Sequence, residues 1–197
     1  MHGPIASSGA EIEGENTVLY PIFLNLSGRR CVVIGGGAVA TRKVGKLLQA
    51  GAEVVVVSSG VRPELAETGV EIHDRTYEYG DLEGANLAFT ATDSREVNAA
   101  VAGEAKERGI PINVADRPSE GDFAVPSTLR RGGLQVAVST GGASPTLARR
   151  IRSELEESFG PEWAVVVEEF DTARRSGGAP GEDLEEEVIR CLSRLRG

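Results

Sequence analysis

The sequence is poor in the residues that mark several functional classes. It has two cysteines, two histidines, one methionine and one tryptophan in 197 residues, and only 5% of it is aromatic. Cys31 lies in a strand-like run and Cys191 far away in a helix-like run. Neither spacing suggests a disulfide framework or a metal site, so buried thiols are expected. His73 falls inside a strand-like run and His2 in the opening residues, which makes packed or surface roles more natural than ligation, and no metal site is expected. Trp163 reads most simply as a core or interface residue. Basic residues are outnumbered by acidic ones, 21 to 30, and the formal charge of -9 argues against a nucleic-acid partner. No apolar run approaches the roughly 20 residues needed to span a bilayer, and the opening MHGPIASSGAEIEGEN lacks the basic and apolar regions of a signal peptide. A cytoplasmic chain without membrane contact is expected, with a disordered tail over residues 1–17.

What is present is a regular alternation. Hydrophobic residues make up 40% of the chain, ample for a core. Short apolar runs at 30–35, 53–58, 70–76, 87–92 and 111–115 alternate with helix-period segments at 39–49, 63–67 and 95–108. This is the grammar of parallel strands joined by crossover helices. Runs such as EVVVVS and LAFTAT carry no alternating charges, as strands buried on both faces require. From Asp116 the pattern changes to a polar connector, strand-like runs at 123–129 and 134–139, a glycine loop, and helices from Pro145, at 162–175 and at 184–196. The expected fold class is α/β: a Rossmann-type parallel sheet over 18–125, a mixed α+β dimerisation segment over 126–157, and a small carboxy-terminal helical domain over 158–197.

The run RRCVVIGGGAVATRKVGKLL poses the functional question. Gly35, Gly37 and Ala40 fit G-x-G-x-x-A between a strand and a helix. Gly35 permits the tight turn, Gly37 admits a pyrophosphate to the backbone, and Ala40 lets helix and strand approach. The free amides across Gly35, Gly36, Gly37, Ala38 and Val39 then face an anion at the positive end of the helix. Where an acidic residue would grip the ribose of NAD, this chain has Ser58. Serine still hydrogen-bonds a ribose, and Arg62 either approaches a 2'-phosphate or is an ordinary surface residue, so spacing alone does not separate NAD from NADP.

The runs ATDSREVN and INVADRP emerge at the same carboxyl edge of the sheet. Thr92, Asp93, Asn113 and Asp116 are therefore candidates to face a nicotinamide and its substrate. Asp93 has a competing reading as a helix N-cap, with Glu96 three residues on. Asp116 starts no obvious helix and is the candidate acid-base group. In VSTGGASPTLARRIR, Ser144 and Pro145 form a strong helix start. The preceding Thr140, Gly141 and Gly142, with Arg149 and Arg150 beyond, offer either a second anion site or a glycine hinge into an interface helix. Between Ser127 and Arg152 there are five arginines (Arg130, Arg131, Arg149, Arg150 and Arg152) and no acidic residue.

Taken in order, YPIFLNLSGRRCVVIGGGAVATRKVGKLLQAGAEVVVVS, ATDSREVN, NVADRPSEGDFAVPS and LQVAVSTGGASPTLARRIRSELE strongly resemble the precorrin-2 dehydrogenase and sirohydrochlorin ferrochelatase family, which includes the amino-terminal half of trifunctional siroheme synthases. The resemblance covers about Tyr20 to Phe159. It implies NAD-dependent oxidation of precorrin-2 to sirohydrochlorin, with Asp116 helping to remove a proton and the arginine-rich segment neutralising a polycarboxylate substrate. Asn113, Thr140, Gly141, Arg149 and Arg150 are the substrate-side candidates under this reading. It also implies a homodimer built through the segment near 126–157. With the sequence ending at Gly197, no methyltransferase half is expected. Two alternatives stay open: a bifunctional dehydrogenase and iron or cobalt chelatase, and an NAD-binding redox sensor that needs neither Asp116 chemistry nor a substrate wall.

Overall fold

The computed structural model describes residues 19–177 and 182–194. The expected tail over 1–17, His2, part of the connector before the last helix, and residues 195–196 at its end lie outside them.

Five strands form one parallel sheet: β1 (Arg30–Ile34), β2 (Glu53–Val57), β3 (Glu71–His73), β4 (Leu87–Thr90) and β5 (Ile112–Val114). Their order is β3-β2-β1-β4-β5. Helices α1 (Ala38–Gln49), α2 (Pro63–Ala66) and α3 (Arg95–Arg108) join them. Alternate residues of each strand bury on opposite faces. Cys31, Val33, Val54 and Val56 meet Ala40, Val44 and Leu47 of α1, while Val32, Ile34, Val55 and Val57 share a core with Val101 and Ala105 of α3. Two covered faces explain the uninterrupted apolar runs. Burial of this kind stabilises by about 25 cal/mol per Å2 of apolar surface, so the sheet rather than its edge loops supplies the rigidity. Burial also pushes the Cys31 thiol up to about 11, which keeps it protonated and inert.

The sheet brings one edge into line. Ile34 lies opposite both Val57 and Thr90, and Thr90 lies opposite Val114. The loops that follow β2, β1, β4 and β5 therefore leave the sheet side by side, in that order. β3 is shorter than the expected 70–76, because the Arg75 amide bonds back to the His73 carbonyl at 2.9 Å and turns the chain out of the strand.

A second unit follows. β6 (Ser127–Arg131) and β7 (Leu134–Val138) form an antiparallel hairpin separate from the parallel sheet, turning at Gly132 and Gly133. The expected strand at 123–129 begins four residues later. Pro126 precedes it, and Phe123 is instead held against the first unit, its ring edge-on to Phe89 at 5.4 Å. Helices α4 (Pro145–Ser158), α5 (Glu162–Arg175) and α6 (Glu182–Arg194) complete the chain. Trp163 and Val166 of α5 share a small core with Leu184 and Cys191 of α6. Ser144 caps α4 as expected, accepting from the Leu147 amide at 3.1 Å.

Asp93 is not the cap of α3. That role belongs to Ser94, whose hydroxyl accepts from the Val97 amide and donates to Glu96 at 2.9 Å. Thr92 explains the shift of one residue: its Oγ1 accepts from the Ser94 amide at 3.2 Å and so sets where the helix begins. Asp93 is left exposed at the sheet edge.

Candidate functional site

The three glycines after β1 have three different reasons to be glycine. Gly35 has φ +120, and a Cβ there would lie 2.5 Å from the Ala91 carbonyl oxygen at the end of β4. Gly36 is tighter, since a Cβ would meet the Gly60 carbonyl oxygen at 2.1 Å and the Ser58 hydroxyl at 2.8 Å. Gly37 has ordinary backbone angles and nothing within 4 Å of its missing Cβ. The first two let neighbouring loops close on the turn, while the third leaves open space before the first turn of α1. Ala40 is fully buried against the sheet, as its small size suggested.

The start of α1 is built for an anion. Gly37 is its N-cap and offers no side-chain hydrogen bond, and no acidic residue occupies the first turn. The amides there are consequently not satisfied by a built-in carboxylate. An open glycine at a bare helix start fits the pyrophosphate of a dinucleotide, with Gly35, Gly36, Gly37, Ala38 and Val39 as the residues that would hold it. Ser58 lies beside this turn but its hydroxyl donates to the Gly60 carbonyl at 2.7 Å. Arg62 pairs with Glu64 at 3.2 Å on the surface. Its amide, rather than its guanidinium, meets the glycine turn, donating to the Gly36 carbonyl at 3.0 Å.

Thr92 is at the same edge, after β4, and its side chain is already engaged. Its Oγ1 donates to Asn98 at 2.8 Å and lies 3.1 Å from the Ser94 carbonyl. Asn98 is 1% exposed and also serves Thr90, the Thr92 amide and the Thr92 carbonyl. Sequence reasoning missed this hub. Its signal was a polar residue on the stripe 98, 101, 105, the buried face of α3.

Asp116 follows β5, exposed, with the Arg95 guanidinium 3.7 Å from its carboxylate. Arg95 also pairs with Glu120, and its Nη1 is buried without a hydrogen-bond partner. Asn113, 8% exposed, does not point freely at a ligand. Its Nδ2 donates to the Phe123 carbonyl at 2.8 Å and its Oδ1 accepts from Lys43 of α1 at 2.5 Å. The Lys43 ammonium also lies 5.3 Å from the centre of the Phe89 ring. Burial, and then the neighbouring Lys46 and Arg42, bring its pKa from 10.5 down to about 8. Lys43 was another residue the sequence reading passed over.

Thr140, Gly141, Arg149 and Arg150 sit on the second unit, and no hydrogen bond or ion pair joins them to the sheet edge among the described residues. The Thr140 hydroxyl is engaged with both the amide and the carbonyl of Ser144, at 3.1 Å each. Gly141 and Gly142 take φ of +61 and +86, a turn that side chains resist. The five-arginine segment is less open than its composition suggested. Arg150 pairs with Glu154 at 2.8 Å, Arg152 pairs with Glu156, and Arg131 donates to the Phe159 carbonyl at 2.8 Å at the end of α4. The acids lie just beyond the acid-free window, one helical turn along. Among the described residues Arg149 has a single hydrogen bond, at 3.2 Å to the Thr146 hydroxyl, and Arg130 contacts Gln135 and the Gln49 carbonyl.

Residues 22–127, from before β1 to the start of β6, match the family profile described as "Putative NAD(P)-binding". The chain belongs to this NAD(P)-binding family. Residues 131–158 match a second profile, "Sirohaem biosynthesis protein central". The chain is 48% identical over 180 residues to a siroheme synthase of Methylococcus capsulatus, covering 89% of this chain and 36% of that one. It is 48% identical over 140 residues to a siroheme synthase of Methylobacillus flagellatus, covering 69% and 30%. The chain thus spans well under half of these curated relatives. Among solved structures it resembles SirC, a precorrin-2 dehydrogenase, with 26% identity and a TM-score of 0.71, over 90% of this chain and 98% of that one. The sequence-based family resemblance and the Rossmann-type fold class both hold, and no described helix is long and apolar enough to cross a membrane.

Proposed function

We propose that the protein is an oxidoreductase that dehydrogenates precorrin-2 to sirohydrochlorin with NAD as acceptor. The observation that carries this is the pairing, along one sheet edge, of an open dinucleotide turn at Gly37 with an exposed carboxylate at Asp116. The similarity to SirC along nearly the whole chain supports the substrate. A nicotinamide bound at that edge supplies a hydride acceptor. Oxidation of the substrate breaks C–H bonds, and each electron pair that leaves as hydride must be balanced by a proton lost elsewhere. Asp116 accepts that proton, and Arg95 beside it holds the carboxylate in place. Thr92 and Asp93 border the nicotinamide end, with the Thr92 side chain acting through the loop it fixes and Asp93 left exposed.

Arg149 is the substrate-side arginine with no carboxylate partner among the described residues, and it suits a substrate carboxylate, for which a planar guanidinium is a two-pronged donor. Because no hydrogen bond or ion pair among the described residues links it to Asp116, a second copy is proposed to bring the two together in a homodimer. The exposed apolar residues Tyr20, Ile22, Phe23, Leu147 and Ile151 support such an interface. Light scattering of the purified protein should then give twice the chain mass of 20.7 kDa; a monomer at micromolar concentration would overturn the shared site.

The activity is tested anaerobically with enzymatically generated precorrin-2 and NAD, following NADH and sirohydrochlorin absorbance. Protein-dependent NADH formation is expected, and its absence while NAD still binds would sink the reading. Adding Fe2+ or Co2+ to the same assay tests for metal insertion, which would show as metallation faster than in a protein-free control.

A further inference from the structure

Lys43 stands out as a half-buried cation in an unfavourable place. It lies on the helix that starts the nucleotide turn, its charge is partly removed from water, and the charged groups acting on it, Lys46 and Arg42 of the same helix, are both cationic. The elements packed around its nitrogen contribute the Phe89 ring from β4 and the Asn113 carboxamide from β5, neither of them an acid. Folding gains little from such a group.

What Lys43 does is hold a clamp. By donating to Oδ1 it fixes which way the Asn113 carboxamide faces, so that Nδ2 donates to the Phe123 carbonyl. Next to this bond, the Asp122 amide donates to the Ile112 carbonyl at 2.8 Å, and the Asp122 carboxylate accepts from the Ile112 amide at 2.9 Å. Gly121 allows the approach, since a Cβ there would lie 3.0 Å from the Ile112 carbonyl oxygen. Residues 121–123 thereby run back along β5 and pinch the connector into a closed loop. Asp116 stands in that loop, together with Glu120, which shares Arg95 with it.

We propose that Lys43 is a positioning residue for the dehydrogenation, coupling the nucleotide-binding helix to the loop that carries Asp116 through Asn113 and the Phe123 carbonyl. This rests on the function proposed above. Its ammonium form makes the stronger, charge-assisted bond to Asn113. The sign of the pH effect follows: the clamp is intact below about pH 8 and weakens as Lys43 loses its proton above that. Stability moves the other way. Between about 8 and 10.5 the unfolded chain holds a proton that the folded chain has released, so the cost of burying this charge is relieved as pH rises through that window.

The experiment compares wild type, Lys43→Met and Lys43→Arg in the anaerobic assay, with NAD affinity and melting temperature measured on each. Lys43→Met is expected to lower kcat about 10- to 100-fold, the cost of a slightly misplaced reacting group, with KM for NAD and NAD affinity essentially unchanged. The wild-type kcat should fall above about pH 8, and Lys43→Arg, charged at every accessible pH, should recover part of the rate and remove that alkaline fall. Full kcat in Lys43→Met, or the same alkaline fall in wild type and Lys43→Arg, would overturn the proposal. So would a parallel loss of melting temperature and NAD affinity in Lys43→Met, the result of a purely structural role. A wild type without turnover would instead defeat the proposed function itself.

Discussion

Gly36→Ala should cripple the protein, while Gly37→Val, the larger substitution one residue on, should leave it folded and unable to hold NAD. At Gly36 a single added carbon lands 2.1 Å from the Gly60 carbonyl oxygen and 2.8 Å from the Val61 Cα, both backbone atoms that cannot rotate aside. Either the loop after β2 moves off the turn or the turn itself opens. Overpacking against backbone should cost on the order of 3 kcal/mol, which for a chain of this size lowers the melting temperature by roughly 6 to 12 °C. At Gly37 nothing stands within 4 Å of the missing Cβ, so the valine side chain projects into the space proposed for the pyrophosphate. NAD affinity should fall by about two orders of magnitude or more, equivalent to roughly 3 kcal/mol, with the melting temperature of the free protein little changed. Calorimetric titration with NAD and thermal unfolding, run on both variants, separate the two effects. Wild-type NAD affinity in Gly37→Val would mean that the open space belongs to something else.

Asp116→Ala should lower precorrin-2 turnover by about 10^2 to 10^4, the usual contribution of a positioned acid-base group, and leave NAD binding intact. The side chain is exposed, and Arg95 keeps Glu120 as a partner when Asp116 is gone, so the fold should survive. Asp116→Asn keeps the shape and removes the base, and should be as slow. Arg149→Ala provides the contrast: it should raise KM for precorrin-2 more than it lowers kcat, because a carboxylate contact far from the reacting atoms binds ground and transition states alike. An Asp116→Ala enzyme with wild-type kcat would move the proton-accepting role to another group.

Lys43 and Asn113 show why part of the site was hidden. Asn113 was legible as a candidate because it lies on a strand ending at the ligand edge. Its role was not, since its partners, Lys43 and Phe123, are 70 residues before and 10 residues after it. A lysine beside the buried stripe 40, 44, 47 reads in sequence as one more solvated charge, and only packing against Phe89 distinguishes it. The arginine-rich window erred in the opposite direction. Its apparent freedom came from where the window was drawn, and the i,i+4 geometry of α4 handed Arg150 and Arg152 to Glu154 and Glu156.

The sequence by itself determined the order of strands and helices, the turn at Gly35 to Gly37, the cap at Ser144 and the candidacy of Asp116, because each follows from periodicity or from the conformational demands of neighbouring residues. Tertiary structure decided that Gly36 is the tightest of the three glycines, that Ser94 rather than Asp93 starts α3, that β6 begins only after Pro126, and that Lys43 reaches Asn113. Those outcomes depend on which loops and strands come to lie against each other. Close approach between segments distant in sequence is a property of the packed sheet, and no local pattern encodes it.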